Sequence, residues 1–275
     1  MISTLPLVAP VGMVMPAAAQ FWMTTINWAL VAMMAIIALK FWRDSGSPIG
    51  LLFLAGGALT SLDEPIVDVL GKCWFPAIGS ESFLTAWGVT IPSYMPAVYA
   101  WYVGGQTLIA YLIFRRGIAS RGVFVLYVAF AIVNIALEMP GLNLPRPMYT
   151  YFGNQPFVIA KFPLWWTFVN ALMPLTVAGI AFRLTAVLTG WRQIVVVPLC
   201  WMIACATNGA IAAPVWVALN TNASTLALTS AAGVVSLGMG LLVCYGVSLL
   251  AAEDSATARQ PASQVWAKRE ASSAF

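Results

Sequence analysis

Seven apolar segments, each long enough to cross a lipid bilayer as a helix, constrain the fold of this chain more than any other feature. A membrane-spanning helix needs about 20 predominantly apolar residues. Charged residues make up only 8% of the chain, whereas soluble domains carry about 25%. We therefore predict an all-α polytopic membrane protein, built as a bundle of seven transmembrane helices. The predicted helices cover residues 20–42, 48–70, 92–114, 121–139, 162–184, 192–217 and 225–251.

Lysine and arginine are divided unequally between the two ends of the predicted bundle. One end holds ten of them: Lys40, Arg43, Arg115, Arg116, Arg121, Arg183, Arg192, Arg259, Lys268 and Arg269. The other end holds three: Lys72, Arg146 and Lys161. Because cytoplasmic loops carry the excess of positive charge, this distribution predicts an N-terminus outside and a C-terminus in the cytoplasm. The predicted organisation is an extracytoplasmic segment (1–19), a transmembrane domain (20–251) and a disordered cytoplasmic tail (252–275).

Several kinds of chemistry have no basis in this sequence. Histidine is absent, which removes the commonest metal ligand and the commonest general base. The four cysteines form no CxxC pair, and we expect them to be structural. No basic cluster indicates nucleic-acid binding. Residues 225–251 contain no lysine that could hold a retinal Schiff base. We therefore expect no metal and no cofactor.

The acids follow a different pattern from the bases. Only nine are present, and three of them, Asp63, Glu64 and Asp68, fall within six positions at the end of the second apolar segment. Glu138 ends the fourth segment on the same side of the predicted membrane. In a helix, Glu64 and Asp68 share a face and Asp63 is turned about 100° away. Pro65 indicates either a kink here or the start of a new helix, for which Ser61 and Glu64 fit a capping box.

Two interpretations of these acids remain open. In the first, they are solvated at the membrane surface or paired with Lys72 or Lys161. In the second, they form a functional acid site. Ionisable groups inside a membrane cost about 2.5–3.5 kcal/mol at a helix centre on insertion scales, which favours function for the group. In such a pair one carboxyl can donate a proton while another stays ionised. We predict Glu64 as the acid, Asp68 or Glu138 as its ionised partner, and Asp63 as an orienting group.

Aromatic and amide side chains of the same end are the candidate substrate-binding residues. Aromatic faces stabilise cations, although each ring taken alone is more typical of a membrane-interface anchor. The amides in apolar segments either position a substrate or bond neighbouring helices. The candidates are Tyr94, Tyr99, Tyr102, Asn134, Tyr149, Tyr151, Asn154, Gln155, Trp165, Trp166, Asn170 and Asn208.

Three stretches of the chain, in their order, resemble the AveC-like spirocyclase family of actinobacterial membrane proteins. They are LDEPIVDVLGKCWFP, ALEMPGLNLPRPMYTYFGNQPF and KFPLWWTFVNALMP, and the resemblance covers roughly residues 48–220. It implies a bacterial plasma-membrane protein and an acid-assisted cyclase or dehydratase. Asp63, Glu64 and Asp68 match the carboxylate motif of the family, and Glu138 matches its later acid. Its loop is matched by Tyr149, Tyr151, Asn154 and Gln155.

Three classes of function follow from the sequence. The first is a cofactor-independent enzyme that cyclises, dehydrates or isomerises a lipophilic polyketide or isoprenoid, with membrane-bound terpene cyclases as the nearest enzymatic alternative. The second is a small-molecule or proton-coupled transporter or receptor, although no acid marks a path through the cytoplasmic half. The third is a structural partner. The expected partners are the lipid bilayer and a lipophilic small molecule, and the sequence does not specify an oligomeric state.

Overall fold

The computed structural model of the chain describes residues 5–257, and side-chain burial up to residue 252. Seven helices in this part are long and apolar enough to cross a membrane, which confirms the predicted helical membrane bundle. We call them the first to seventh spans. They are Ala17–Ser45, Ile49–Gly71, Met95–Arg115, Ser120–Asn143, Trp165–Leu184, Gly190–Asn220 and Leu226–Ala252.

Several spans are composed of more than one helical piece. The α-helices are α1 (Ala17–Ser45), α2 (Ile49–Thr60), α3 (Glu64–Gly71), α4 (Met95–Tyr99), α5 (Gln106–Arg115), α6 (Ser120–Asn143), α7 (Trp165–Asn170), α8 (Leu172–Leu184), α9 (Val196–Asn220) and α10 (Leu226–Thr257). The last helix therefore extends into the predicted tail, and residues 258–275 of that tail lie outside the described residues.

The second span breaks at the acidic cluster. A 3-10 turn, Ser61–Asp63, separates α2 from α3, and Pro65 lies in the first turn of α3. Proline is favourable there because its missing N–H has no intrahelical acceptor. The predicted capping box is wrong: the Ser61 hydroxyl donates to the Ala58 carbonyl at 2.7 Å and does not cap α3.

The third span contains a π-helical stretch, Ala100–Gly105, between α4 and α5. Such stretches are rare and frequently occur at functional sites. Here the stretch brings the third span into backbone contact with the second. A Cβ on Gly104 would lie 2.3 Å from the Phe53 carbonyl oxygen, and one on Gly57 would lie 2.5 Å from the Gly104 nitrogen. Glycine at both positions therefore fixes α2 close beside the residues that follow Tyr99.

The loops at the end of the bundle that carries the acids contain short strands, which the all-α prediction omitted. The pairs are β1 (Cys73–Trp74) with β4 (Thr150–Tyr151), β2 (Ser82–Ala86) with β3 (Val89–Pro92), and β5 (Val158–Ile159) with β6 (Phe162–Pro163), all antiparallel. Trp87 and Gly88 both have positive φ in the two-residue turn between β2 and β3, as a type I′ hairpin requires. We call residues 72–94 and 144–164 the loop cap.

The N-terminal segment packs against the loop cap. The Met15 N–H donates to the Ile78 carbonyl at 2.9 Å, and the Gly153 N–H donates to the Pro6 carbonyl at 2.8 Å. The described N-terminal residues, 5–16, therefore lie at the same end of the bundle as the acidic cluster. Which side of the membrane this end faces stays a prediction from the distribution of lysine and arginine.

Candidate functional site

Three carboxylates from two spans line one cavity beneath the loop cap. Glu64 and Asp68 project from α3, four residues apart on one helix face as predicted, and Glu138 projects from α6. Glu64 is only 6% exposed and Asp68 2%. The cavity holds about 70 Å³ of space for water-sized molecules. We call it the acid pocket.

Tyrosine hydroxyls are the hydrogen-bond donors to two of these acids. Tyr99 donates to Glu64 Oε2. Glu138 Oε2 accepts two phenols, from Tyr149 at 2.6 Å and from Tyr151 at 3.2 Å. Hydrogen bonds to a carboxylate are strongest when it is ionised. Of the three acids, Glu138 therefore has the surroundings best suited to a negative charge.

The Tyr149 and Tyr151 phenols belong to the loop cap, outside the spans. Burial raises the pKa of each well above its ordinary value, and the charge of Glu138 raises it further. Both hydroxyls therefore remain protonated at neutral pH and keep their role as donors to Glu138.

Polar atoms without a hydrogen-bond partner are concentrated in this pocket. Among the described residues, buried and unpartnered atoms on its lining include Asp68 Oδ2, the Tyr94 and Tyr102 hydroxyls, Asn134 Oδ1 and Trp166 Nε1. A buried polar group without a partner costs about 1–3 kcal/mol. So many in one cavity indicate that a polar ligand or ordered water completes them.

The described lining of the acid pocket includes no lysine or arginine. The predicted alternative, in which Lys72 or Lys161 pairs with the acids, therefore receives no support from the lining. The Cys73 thiol also lines the pocket, and its pKa is raised well above the ordinary value by burial, then by the charges of Asp68, Glu64 and Glu138. This thiol remains protonated at neutral pH.

Most of the candidate substrate-binding residues reach the acid pocket. Those that line it are Tyr94, Tyr99, Tyr102, Asn134, Tyr149, Tyr151, Trp166 and Asn170. They come from the third, fourth and fifth spans and from the loop cap, so the convergence depends on the tertiary fold.

Three candidates are placed in the structure around the pocket rather than in its lining. Gln155 donates to the Gly71 carbonyl at 2.7 Å and accepts from Trp165 Nε1 at 3.0 Å, which joins the loop cap to the end of α3. Asn154 donates to the Ser224 carbonyl at 2.9 Å. Because these side chains satisfy backbone groups and one another, they hold the cap in place without presenting polar atoms to the cavity.

Asp63, the last residue before α3, points away from the acid pocket, as the 100° offset predicts. Its Oδ2 accepts from Trp201 Nε1 at 2.8 Å and from the Cys205 thiol, both on α9. It lines a second cavity of about 160 Å³, which we call the Asp63 chamber. The chamber is lined by Thr60, Asp63, Ile66, Val67, Tyr99, Met173, Cys205, Asn208, Gly209 and Trp216. Asp63 therefore has no contact that would orient Glu64 or Asp68 through its carboxylate.

Sequence reasoning missed several residues of the acid pocket. Cys73 was expected to be structural, yet it lines the cavity next to Asp68. Its position five residues after Asp68, at the end of the same apolar segment, was the available signal in the sequence. Met23 and Met173 also line the pocket, and within long apolar segments nothing distinguishes them from lipid-facing residues.

The site offers few ligands for a metal. Within residues 5–257 no group of three or more acidic, cysteine or histidine side chains is arranged so that it could hold a metal ion. Comparisons with models of known protein families, with curated proteins and with solved structures found no match for this chain.

Proposed function

We propose that this protein is a membrane-embedded enzyme that uses carboxylates to cyclise or dehydrate a lipophilic, oxygenated substrate. One observation carries the proposal: Glu64, Asp68 and Glu138 line one cavity together with several tyrosine hydroxyls. The described lining of this cavity includes no lysine or arginine that could neutralise the acids. A site in which several acids and phenols converge suits chemistry that begins with proton transfer and passes through a positively charged intermediate.

The three carboxyls take different roles in this proposal. Glu138, with two phenol donors, is the ionised partner and the final proton acceptor. Glu64 and Asp68 form the proton-donating pair on α3. Asp68 Oδ2 has no partner among the described residues, which leaves it available to a substrate oxygen. Glu64 remains our first candidate for the acid, held by Tyr99.

The chemistry balances without a cofactor. A carboxyl group protonates a substrate carbonyl, and a substrate hydroxyl adds to its carbon. The proton that this hydroxyl loses returns to the carboxylate, which leaves a neutral hemiketal. A second protonation lets the hemiketal hydroxyl leave as water, and the resulting oxocarbenium ion is attacked by a second hydroxyl. The ionised carboxylate takes the released proton, so the net change is the loss of one water. Carboxylates and the faces of Tyr151 and Trp166 in the lining would stabilise the cation.

The resemblance to the AveC-like spirocyclases supports the same class of reaction in a bacterial plasma membrane. Of the four acids matched in that resemblance, Glu64, Asp68 and Glu138 line the acid pocket, and Asp63 does not. Cyclisation of an isoprenoid, as in membrane-bound terpene cyclases, would use the same proton donors on an alkene.

The test is turnover by purified protein in lipid nanodiscs. Candidate hydroxyketone polyketides and prenyl lipids are incubated with wild type and with Glu64→Gln, and products are identified by mass spectrometry. We expect wild type to release a product lighter by one water, or an isomer in the prenyl case. Loss of a general acid typically costs about 10²–10⁴-fold, and we expect that loss in Glu64→Gln. Accumulation of unchanged substrate inside proteoliposomes, with no product from wild type, would indicate transport instead.

A further inference from the structure

The acid pocket is too small for the whole of a lipophilic polyketide or isoprenoid. Its space of about 70 Å³ accommodates the reacting end of such a molecule, whereas sites for drug-sized ligands measure about 300–1,000 Å³. The Asp63 chamber provides about 160 Å³ directly behind it. Val67, Tyr99 and Met173 line both cavities and form their common wall.

The chamber is bounded by spans alone. All its described lining residues come from the second, third, fifth and sixth spans, and none from the loop cap. The acid pocket, in contrast, is covered by Cys73, Phe75, Tyr94, Tyr149 and Tyr151 of the cap. An open side of the chamber therefore faces the lipid rather than the water beyond the loops.

The gap between the second and sixth spans has defined limits. At one limit the Asp63 carboxylate accepts from Trp201 Nε1 and from the Cys205 thiol, so the two spans are joined there. At the other limit Asn220 Nδ2 donates to the Leu70 carbonyl at 2.8 Å. Between them the chamber is edged by Ile66, which is 40% exposed. The opening therefore lies in the side of the bundle, between residues of two membrane spans.

The chemistry of the chamber indicates what it accepts. Most of its lining is apolar, with Asn208 as one of the polar exceptions. Asn208 is only 4% exposed, and its Oδ1 has no hydrogen-bond partner among the described residues. The nitrogen of the same amide already donates to Asn170 Oδ1 at 3.2 Å. The amide oxygen is a hydrogen-bond acceptor. A ligand that fits this chamber is therefore an apolar chain that carries a hydrogen-bond donor.

We propose that the Asp63 chamber is the lateral portal of the enzyme and the binding site for the non-reacting part of an elongated lipophilic alcohol. A hydroxyl on this part donates to Asn208 Oδ1, while the reacting end lies beyond Tyr99 in the acid pocket. Met173 is unbranched and flexible, so it is the part of the common wall best able to move aside. This identification of the substrate class rests on the proposed function, whereas binding in the chamber does not.

Photoaffinity labelling in nanodiscs tests the portal with two probes of equal length. One is a hexadecanol with a mid-chain diazirine, and the other is the hexadecane that carries the same diazirine. We expect the alcohol to label the peptides around Ile66 and Gly209 at least ten-fold more than the hydrocarbon does. Equal labelling by both probes, or labelling spread evenly over the outer faces of the spans, would overturn the proposal.

The most direct test is a variant that fills the Asp63 chamber with a larger side chain. A Cβ on Gly209 meets only Trp216, at 3.8 Å, so Gly209→Phe extends into the chamber without a clash at the backbone. The matched control is Gly238→Phe on the seventh span, where a Cβ meets nothing within 4 Å. We expect Gly209→Phe to lose labelling at least ten-fold and the control to keep it. Full labelling of a folded Gly209→Phe contradicts the proposal.

Two further variants keep the outcomes separable. If Gly209→Phe does not fold, Asn208→Leu removes the unpartnered oxygen at similar volume, and the preference for the alcohol over the hydrocarbon should disappear. Glu64→Gln should label like wild type, because it leaves the chamber intact. Chamber labelling together with an active Glu64→Gln would remove the proposed acid but keep the portal. Absent labelling together with an inactive Glu64→Gln would remove the portal but keep the proposed acid.

Discussion

At the start of α3, neighbouring carboxylates point to two sides that have different surroundings. On one side, Glu64 and Asp68 face a third acid, phenol donors and a cover of loops. On the other, Asp63 is alone, bonded to an indole and a thiol of α9 in a cavity bounded only by spans. One short helix can serve both because neighbouring residues point about 100° apart. The difference teaches that the convergence of several acids, and not the presence of one acid, distinguishes the side that we propose to be reactive.

The largest expected effect separates these two sides by substitution. Glu138→Gln removes the ionised partner and should lower turnover about 10²–10⁴-fold, as loss of an acid–base group does. Asp63→Asn keeps the size of the side chain in the chamber and should lower turnover by less than about ten-fold, the loss of one ordinary hydrogen bond. Product formation in nanodiscs is the measurement. An Asp63→Asn variant as inactive as Glu138→Gln would break the comparison.

Much of this division follows from the sequence. The spacing of Glu64 and Asp68 predicts their shared face, and the offset of Asp63 predicts its separation. The position of Glu138 at the end of the fourth segment predicts its convergence with them, because alternating spans bring these two ends together. The apolar segments likewise predict all seven spans.

The partners of these acids could not be predicted in the same way. The contacts of Asp63 with Trp201 and Cys205 join residues about 140 positions apart, and no local pattern encodes which faces of two apolar helices meet. Tyr149 and Tyr151 were predicted as substrate-binding groups, whereas their hydroxyls bond Glu138. The short strands of the loop cap depend on positive φ at residues such as Trp87, for which the sequence carries no clear signal.

A smaller effect is expected from the seam that holds α2 against the third span. Gly104→Ala would place a methyl group 2.3 Å from the Phe53 carbonyl oxygen, where only backbone movement can relieve the clash. Overpacking typically costs about 1–3 kcal/mol, so the midpoint of thermal unfolding in detergent should fall. Gly238→Ala, at a position with open space, is the control. If both variants unfold at the same temperature as wild type, the close approach of these two spans is wrong. The position of Tyr99 between the two cavities would then be wrong as well.

The smallest expected effect concerns the Cys73 thiol, which lines the acid pocket and should not react with alkylating reagents. Burial and the neighbouring acids raise the pKa of this thiol, so little reactive thiolate forms even near pH 9, above the ordinary thiol value of about 8.5. Iodoacetamide should leave Cys73 unmodified in the folded protein and modify it in sodium dodecyl sulfate, as read by peptide mass spectrometry. Asp68→Asn removes one neighbouring charge, but burial is the larger cause, so the thiol should stay inert. Modification of folded Cys73 that rises from pH 7 to pH 9 would show that the acid pocket is open to water.

A double-mutant cycle on Glu64 and Glu138 tests most directly whether acids from two spans act in one site. Groups that act as a unit in catalysis are strongly non-additive. We expect Glu64→Gln/Glu138→Gln to turn over no more slowly than the slower of its two single variants, with all three proteins folded and monodisperse. A double variant whose fold-loss of turnover equals the product of the two single losses would contradict a shared acid pocket. A single variant with full activity would contradict it too.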